Sequence, residues 1–177
     1  LMGAAGAGHE RVVELLLRRG AEINLQNSKG YTALVFAAGK GYEQITRLLL
    51  QARAAVNQAQ HDGATPLFMA CYQGHLECVR LLLEASAAVN QADEDGATPL
   101  TIACHNGEVE IVRLLLETGA AVNQACNNGV TPLFAACEHS NLECARLLLE
   151  AGAAVNQAKQ DGATPLFAAC HQGHLEV

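Results

Sequence analysis

Residues 62–90 read DGATPLFMACYQGHLECVRLLLEASAAVN, and variants of this stretch recur along the whole chain. A Thr-Pro-Leu or Thr-Ala-Leu step begins at five positions that are each 33 residues apart: Thr32, Thr65, Thr98, Thr131 and Thr164. All 4 prolines of the chain follow one of these threonines. Self-similarity at a fixed period is typical of a solenoid, in which each unit buries its apolar side against its neighbours.

One unit can be interpreted from its residue types. Asp62 and Gly63 form a turn signal, and Thr65 is a good N-cap for a helix whose first residue is proline. The sequence predicts a short first helix over 66–72 that ends before a glycine. It also predicts a second helix over about 76–85, because the leucines there recur at helical spacing.

The composition excludes several classes of protein. The chain has 177 residues, of which 50% are hydrophobic and 4% aromatic, so Ala, Val, Ile and Leu must build the core. No apolar run approaches the roughly 18 residues of a membrane span. The 7 cysteines are an odd number in a composition that is not loop-rich, which favours a reducing, cytoplasmic location. The net charge of −7 disfavours nucleic-acid binding through a general positive field.

The recurring motifs resemble the ankyrin repeat family. Between Gly63 and Asn90 the chain has Gly-x-Thr-Pro-Leu, then Gly-His-x-Glu, then Leu-Leu-Leu, then Ala-Val-Asn. The resemblance covers the entire chain and implies an all-α solenoid of stacked helix–turn–helix units with short β-hairpin fingers. We expect a single domain, 1–177, with a partial repeat 1–29, repeats 30–62, 63–95, 96–128 and 129–161, and a partial repeat 162–177. Both ends lack a polar capping unit, which favours a fragment of a longer array.

The resemblance implies a scaffold that binds a partner protein through a concave groove and the fingers, with no catalysis, cofactor or metal. The alternative is a structural spacer or an intramolecular regulatory segment of a larger multidomain protein. No Ser/His/Asp set, phosphate-binding glycine loop or pair of catalytic carboxylates is recognisable in the sequence. We also expect a monomer that neither binds nucleic acid nor inserts into a membrane.

Candidate partner-binding residues are those that vary from repeat to repeat while the recurring residues, which we call the frame, stay fixed. The alternative is that these residues vary because nothing constrains them. They lie at the turns between repeats and at the ends of the first helices, which line the groove in ankyrin repeats: Lys29, Tyr31, His61, Asp62, Tyr72, Gln73, Asp93, Glu94, Asp95, His105, Asn106, Asn127, Asn128, Glu138, His139, Gln160, Asp161 and His171. From residue 54 onward four bases face fourteen acids, a charge of −10. We therefore expect a basic or mixed-charge partner on the second to fourth fingers, with Tyr72 as the aromatic anchor.

Two further expectations concern residues that depart from the family pattern. Arg53 and Ser86 stand where a glycine usually ends the second helix, and each costs on the order of 1 kcal/mol if its backbone stays left-handed. The cysteines at one recurring position are expected to be small core residues rather than a metal or redox site: Cys71, Cys104, Cys137 and Cys170. Cys126, in a turn, is expected to be exposed.

Overall fold

The structure is a computed structural model that describes residues 1–171. It divides into two compact units: unit 1 is Leu1–Ala88, and unit 2 begins at Val89. Unit 1 contains α1 (Met2–Gly6), α2 (Glu10–Arg18), α3 (Ala33–Gly39), α4 (Glu43–Gln51), α5 (Pro66–Tyr72) and α6 (Leu76–Glu84). Unit 2 contains α7 (Pro99–Asn106), α8 (Val109–Glu117), α9 (Pro132–Glu138), α10 (Leu142–Glu150) and α11 (Pro165–His171). The all-α prediction is confirmed, and no helix within residues 1–171 is long and apolar enough to span a bilayer.

The first helix of each repeat begins at the recurring threonine. The Thr65 side-chain oxygen accepts a hydrogen bond of 3.1 Å from the amide of Phe68, and Pro66 occupies the first turn. Thr32, Thr98, Thr131 and Thr164 form the same bond, at 3.1 to 3.3 Å. The proline has no amide hydrogen to leave unpaired, so the Thr-Pro pair sets the start of the helix at little cost.

The helices of each unit pack in two rows. In unit 1, α3 contacts α1 and α5, while α4 contacts α2 and α6. In unit 2, α9 contacts α7 and α11, while α10 contacts α8. In four of the five Thr-Pro-Leu or Thr-Ala-Leu steps the leucine lies in the core, with Leu34 and Leu67 1% exposed and Leu100 fully buried. Leu166, in the same position of α11, is 68% exposed.

A recurring asparagine links each repeat to the next one within its unit. The Asn24 and Asn57 side-chain oxygens accept hydrogen bonds of 2.8 Å from the amides of Ala55 and Ala88. Asn90 and Asn123 accept the same bond, also at 2.8 Å, from the alanine that lies 31 residues further on. These asparagines therefore hold the turn of the next repeat.

The left-handed residues expected at two helix ends are present. Arg53 has φ 63° and Ser86 has φ 64°. Ser140, with φ 58°, is a third case that the sequence analysis did not identify. It stands where other repeats have glycine, between the first and second helices. Each side chain crowds its own backbone in this conformation, because only glycine lacks a Cβ atom.

Three details of the sequence analysis need correction. Residues 1–171 contain no β-strand, because the backbone bonds within each finger stay inside one tight turn, such as those from the Asn27 amide to the Tyr31 carbonyl and from the Gly30 amide to the Asn27 carbonyl. Cys170 is exposed rather than buried in the core, although Cys71, Cys104 and Cys137 are buried as expected. Cys126 is half-buried, since it lies in a groove described below.

Candidate partner-binding surface

The turns between repeats are held by short side chains that bind the backbone. In unit 1, the Asn27 side-chain oxygen accepts hydrogen bonds from the amides of Lys29 and Tyr31, at 2.9 and 3.0 Å. In unit 2, the equivalent Asp93 oxygen accepts bonds from the amides of Asp95 and Ala97, at 3.1 and 2.8 Å. Asp62, Asn128 and Asp161 each accept one such bond, at 3.0 Å, from the amide two residues later. The turn tips are therefore fixed before any partner arrives.

Successive turns within a unit also bind one another. The amide of His61 donates to the Lys29 carbonyl at 3.3 Å, and the amide of Asn127 donates to the Asp95 carbonyl at 2.8 Å. The Asn127 side chain adds a bond of 2.7 Å to the Glu94 carbonyl. Gly96, with φ 79°, permits this approach, because a Cβ atom there would lie 2.8 Å from the Asn127 backbone nitrogen.

Unit 1 contains a groove of about 530 Å³ that we call the aromatic groove. Tyr31 and Phe36 form its stacked ring pair, with centroids 4.8 Å apart and an interplanar angle of 25°. Ten residues line it: Asn27, Ser28, Lys29, Tyr31, Val35, Phe36, Gly39, Lys40, Met69 and Gln73. Three of the predicted binding residues, Lys29, Tyr31 and Gln73, thus meet on one surface.

The other unit 1 candidates lie beside this groove. Tyr72 ends α5 and is 47% exposed, but it does not line the groove. His61 and Asp62 are exposed at the second turn. The aromatic pair of the groove is therefore Tyr31 and Phe36, and the role of Tyr72 as an anchor stays a prediction.

Unit 2 contains a groove of about 450 Å³ that we call the acidic groove. Its lining is Asp95, Ala97, Thr101, Ile102, His105, Cys126, Asn127, Asn128, Val130, Ala135 and Glu138. Five of these are predicted binding residues, and two of those five are carboxylates. Asp93 and Glu94 belong to the same turn as Asp95, and Asn106 is exposed at the end of α7. The third and fourth fingers and the end of two first helices thus share one depression.

Two histidines meet at the edge of this groove. The rings of His105 and His139 have centroids 3.9 Å apart and an interplanar angle of 63°. His139 Nε2 lies 3.8 Å from a carboxylate oxygen of Glu138. Partial burial and the nearby His139 lower the pKa of His105, and Glu138 opposes them. A neutral His105 is therefore favoured near neutral pH, since burial and the neighbouring His139 both disfavour its charged form.

The fifth turn differs from the acidic turns because its acid is paired. The Lys159 ammonium lies 3.1 Å from a carboxylate oxygen of Asp161 and 5.2 Å from the Phe134 ring centroid. A backbone bond from Ala163, followed by Lys159, lowers the pKa of Asp161. The Gln160 side chain donates to the Asn127 carbonyl at 2.5 Å. His171 stacks on Phe167, with the ring centroids 5.7 Å apart. Because Lys159 pairs with Asp161, this turn adds little net negative charge.

The formal charges of the two units agree with the charged residues that line their grooves. Unit 1 has eight Lys or Arg and seven Asp or Glu, a formal charge of +1. Unit 2 has three and eleven, a charge of −8. The two grooves therefore lie on units of different charge.

Several groove residues are absent from the predicted set, among them Phe36, Gly39, Met69 and Ile102. Phe36, Met69 and Ile102 occupy one repeat position, where Ala135 and Ala168 follow in later repeats. This position varies within a fixed frame, so the criterion that selected the turn residues would have found it. It was overlooked because apolar residues on a short helix suggest the core.

The buried thiols are poor nucleophiles. Burial raises the pKa of Cys104 well above its ordinary value, and it raises that of Cys144 to about 11. Only the thiolate attacks or binds metal readily, so both groups are protonated and unreactive at neutral pH. Among residues 1–171, no group of three or more His, Cys, Asp or Glu could hold a metal ion.

A family model described as ankyrin repeats (3 copies) matches residues 1–93 and 86–159, which together span most of the chain. No curated protein matches the chain.

Proposed function

Because the chain belongs to the ankyrin repeat family, we propose that it is a protein–protein interaction scaffold that binds its partner at the turn tips and first-helix ends. Ankyrin repeats are generally protein-interaction modules and are typically not enzymes. The observation that supports the proposal is a contrast between the recurring frame residues and the residues that line the two grooves. The frame residues are buried or bonded to neighbouring repeats, while eight of the eighteen varying candidates line two open grooves.

The acidic groove supports a basic or mixed-charge partner. Asp95 and Glu138 line it, and Glu94 is exposed on the same turn as Asp95. A surface of one sign attracts the opposite sign and speeds encounter, while Ile102 offers an apolar contact. Since the turn backbone is already ordered, little conformational entropy is lost when a partner binds.

The test removes the charges of the acidic turn without disturbing its structure. In the triple variant Asp93→Asn, Glu94→Gln and Asp95→Asn, an asparagine at 93 keeps the oxygen that accepts two backbone bonds, as Asn27 does in unit 1. Glu94 and Asp95 bind the next turn only through their carbonyls. We expect the variant to fold normally and to capture less of a partner from a cell lysate than the parent chain does.

A matched control neutralises three exposed acids on the second helices of unit 2, with Glu110→Gln, Glu117→Gln and Glu150→Gln. This control should retain the partner. With purified components, raising salt from about 0.05 to about 0.5 M shortens the Debye length from roughly 14 to roughly 4 Å and should slow association. Partners retained equally by both variants would show that the acidic turn is only a solvated surface. Failure to capture any partner would favour a structural spacer or regulatory segment.

A further inference from the structure

The aromatic groove exists because one side chain is missing. Gly39 ends α3, and the equivalent position is Gly6 in the first, partial repeat but Tyr72, His105, Glu138 or His171 in the later repeats. A Cβ atom on Gly39 would already meet the Met69 Cβ at 3.4 Å, so a longer side chain would occupy the groove. The backbone of Gly39 is helical and does not itself require glycine. The absence of a side chain at position 39 therefore keeps the aromatic groove open.

The lining of this space combines an apolar part with polar side chains and extends beyond one side chain. Phe36 and Met69 are half-buried, and Val35 is buried. A neighbouring depression of about 420 Å³ shares Phe36 and Lys40 with the aromatic groove and continues along α1. Its lining is Met2, Gly3, Gly6, Ala7, Asn27, Phe36 and Lys40. The combined surface suits an extended segment better than a single small group.

The charged residues that line the groove are both lysines. Lys29 comes from the turn, and Lys40 is the residue that follows α3. Both are exposed, and neither forms an ion pair within 4.0 Å in the part of the chain that the structure describes. Their charges are thus available to an incoming acid, and no carboxylate of the lining competes.

We propose that the aromatic groove binds an acidic peptide segment of a partner protein, with an apolar side chain beside Gly39 and carboxylates against Lys29 and Lys40. This inference rests on the proposed scaffold function and assigns a second partner chemistry to it. A nucleic acid fits less well, because Val35, Phe36 and Met69 give the groove an apolar part and the chain as a whole is strongly acidic.

The groove is ordered before binding, which favours a short peptide. Asn27 fixes the amides of Lys29 and Tyr31, and the Gln26 side chain ties the Gly30 and Ala59 carbonyls together at 2.7 and 2.8 Å. The side chain of Tyr31 is held as well, because its ring stacks on that of Phe36. A rigid receptor loses little conformational entropy on binding, so a small contact area can give measurable affinity.

The test selects peptides and then closes the groove. A phage-displayed library of random twelve-residue peptides is selected on the full chain, and enriched peptides are synthesised with a fluorescent label. We expect them to carry net negative charge and at least one Phe, Leu, Ile, Met or Trp. The variant Gly39→Gln should weaken their binding by about tenfold or more, because the new side chain occupies the apolar contact. Its thermal stability should stay the same or rise, because glutamine is the better helix former.

A charge-matched pair of variants tests the lysines. Lys29→Gln with Lys40→Gln should weaken binding by about threefold to tenfold and reduce its salt dependence. Both lysines take part in the fold through their backbone atoms, which the change leaves in place. The control, Arg11→Gln with Arg19→Gln, removes the same charge from exposed residues outside the groove and should leave binding within about twofold.

Several outcomes would overturn the inference. They are basic enriched peptides, no enriched peptides, binding that ignores Gly39→Gln, and equal competition by heparin or a single-stranded oligonucleotide that lacks an apolar anchor. The scaffold function itself is judged separately, by partner capture with the variant of residues 93–95 in unit 2. A loss there, together with no effect of Gly39→Gln, would leave the scaffold function standing and remove only the acidic-peptide site.

Discussion

The aromatic groove of unit 1 and the acidic groove of unit 2 occupy the same repeat positions but differ in chemistry. Phe36 and Met69 in the first correspond to Ile102 and Ala135 in the second, and Gly39 corresponds to His105. The frame around them is the same, with equivalent threonine caps and asparagine links. Charge and shape at the surface can therefore change at little cost to the fold where the varying side chain makes no bond to the frame, as at Phe36, Met69 and Ile102.

The largest expected effect tests whether the two frames are equivalent. Leu67→Ala in unit 1 and Leu100→Ala in unit 2 remove side chains that are at most 1% exposed, so each should cost about 2–5 kcal/mol of unfolding free energy. The two costs should agree to within about 1 kcal/mol, since the same position is emptied. Urea denaturation of each variant gives the values.

Leu166→Ala is the matched control for this pair. The residue occupies the same position but is 68% exposed, so its loss should cost well under about 1 kcal/mol. A cost for Leu166→Ala as large as that for Leu100→Ala would contradict the view that burial, rather than the motif, determines the effect.

The next effect concerns how the second helices end. In unit 1, Arg53 and Ser86 adopt left-handed φ values, whereas unit 2 has Gly119 and Gly152 at that position. Arg53→Gly and Ser86→Gly should each stabilise the fold by about 1 kcal/mol, because glycine has no Cβ atom to crowd the backbone. Thermal or urea denaturation measures the change.

The reverse substitution in unit 2 completes this comparison. Gly119→Ser should destabilise the fold by about 1 kcal/mol, and no neighbouring atom would obstruct the new side chain. If Ser86→Gly and Gly119→Ser both lowered stability, local packing rather than backbone strain would control these positions.

A smaller effect should distinguish the two grooves by how their contribution to folding stability depends on pH. The acidic groove is lined by His105, whereas no histidine lines the aromatic groove. The pKa of His105 is lowered in the folded state, so its neutral form favours folding. This contribution is present above the unfolded pKa of about 6.5 and is lost as pH falls through that value to the lower folded pKa.

Two variants assign the cause of that shift in an NMR titration. His139→Asn should raise the pKa of His105, because a neighbouring positive charge is removed. Glu138→Gln should lower it, because the opposing carboxylate is neutralised. A His105 pKa that is the same in all three proteins would leave burial as the sole cause.

The smallest effect should be similar in the two units, although Glu77 has a second partner, Arg47, at 3.9 Å. Arg80 and Glu77 in unit 1, and Arg146 and Glu143 in unit 2, form exposed pairs at 3.5 Å. Glu77→Gln and Glu143→Gln should each change the unfolding free energy by less than about 0.5 kcal/mol, because exposed pairs gain little in water. A loss above 1 kcal/mol in either unit would show that its outer face supports the fold.

The frame could be predicted from the sequence almost completely, because it depends on local interactions. The prediction of α5 over 66–72 is confirmed to the residue, since Thr65 and Pro66 set its start through bonds within one turn of helix. The second helix was predicted about one residue too long, and it ends at Glu84. Ser140 was missed because only the glycine position that ends the second helix was compared between repeats, although Ser140 also stands where other repeats have glycine.

The surface could be predicted only in part, because grooves depend on which side chains meet between repeats. Lys29 and Asp95 were identified from their variation within the frame, and both line grooves. The pairing of Lys159 with Asp161 was not predicted, and it removes one acid from the expected negative surface. Cys170 was expected to be buried by analogy, but burial depends on the neighbouring repeat and not on the motif.

The asparagine links described above have a consequence for how such a chain can gain or lose length. Each side-chain oxygen of Asn24, Asn57, Asn90 and Asn123 meets an amide that lies 31 residues further on, whatever the residues between them. A duplication or deletion of 33 residues, made between equivalent positions inside a unit, gives every asparagine a donor again. An insertion of one or two residues separates a donor from its acceptor. Changes in copy number therefore conserve the bonding pattern, and they can bring a new groove lining with each added repeat.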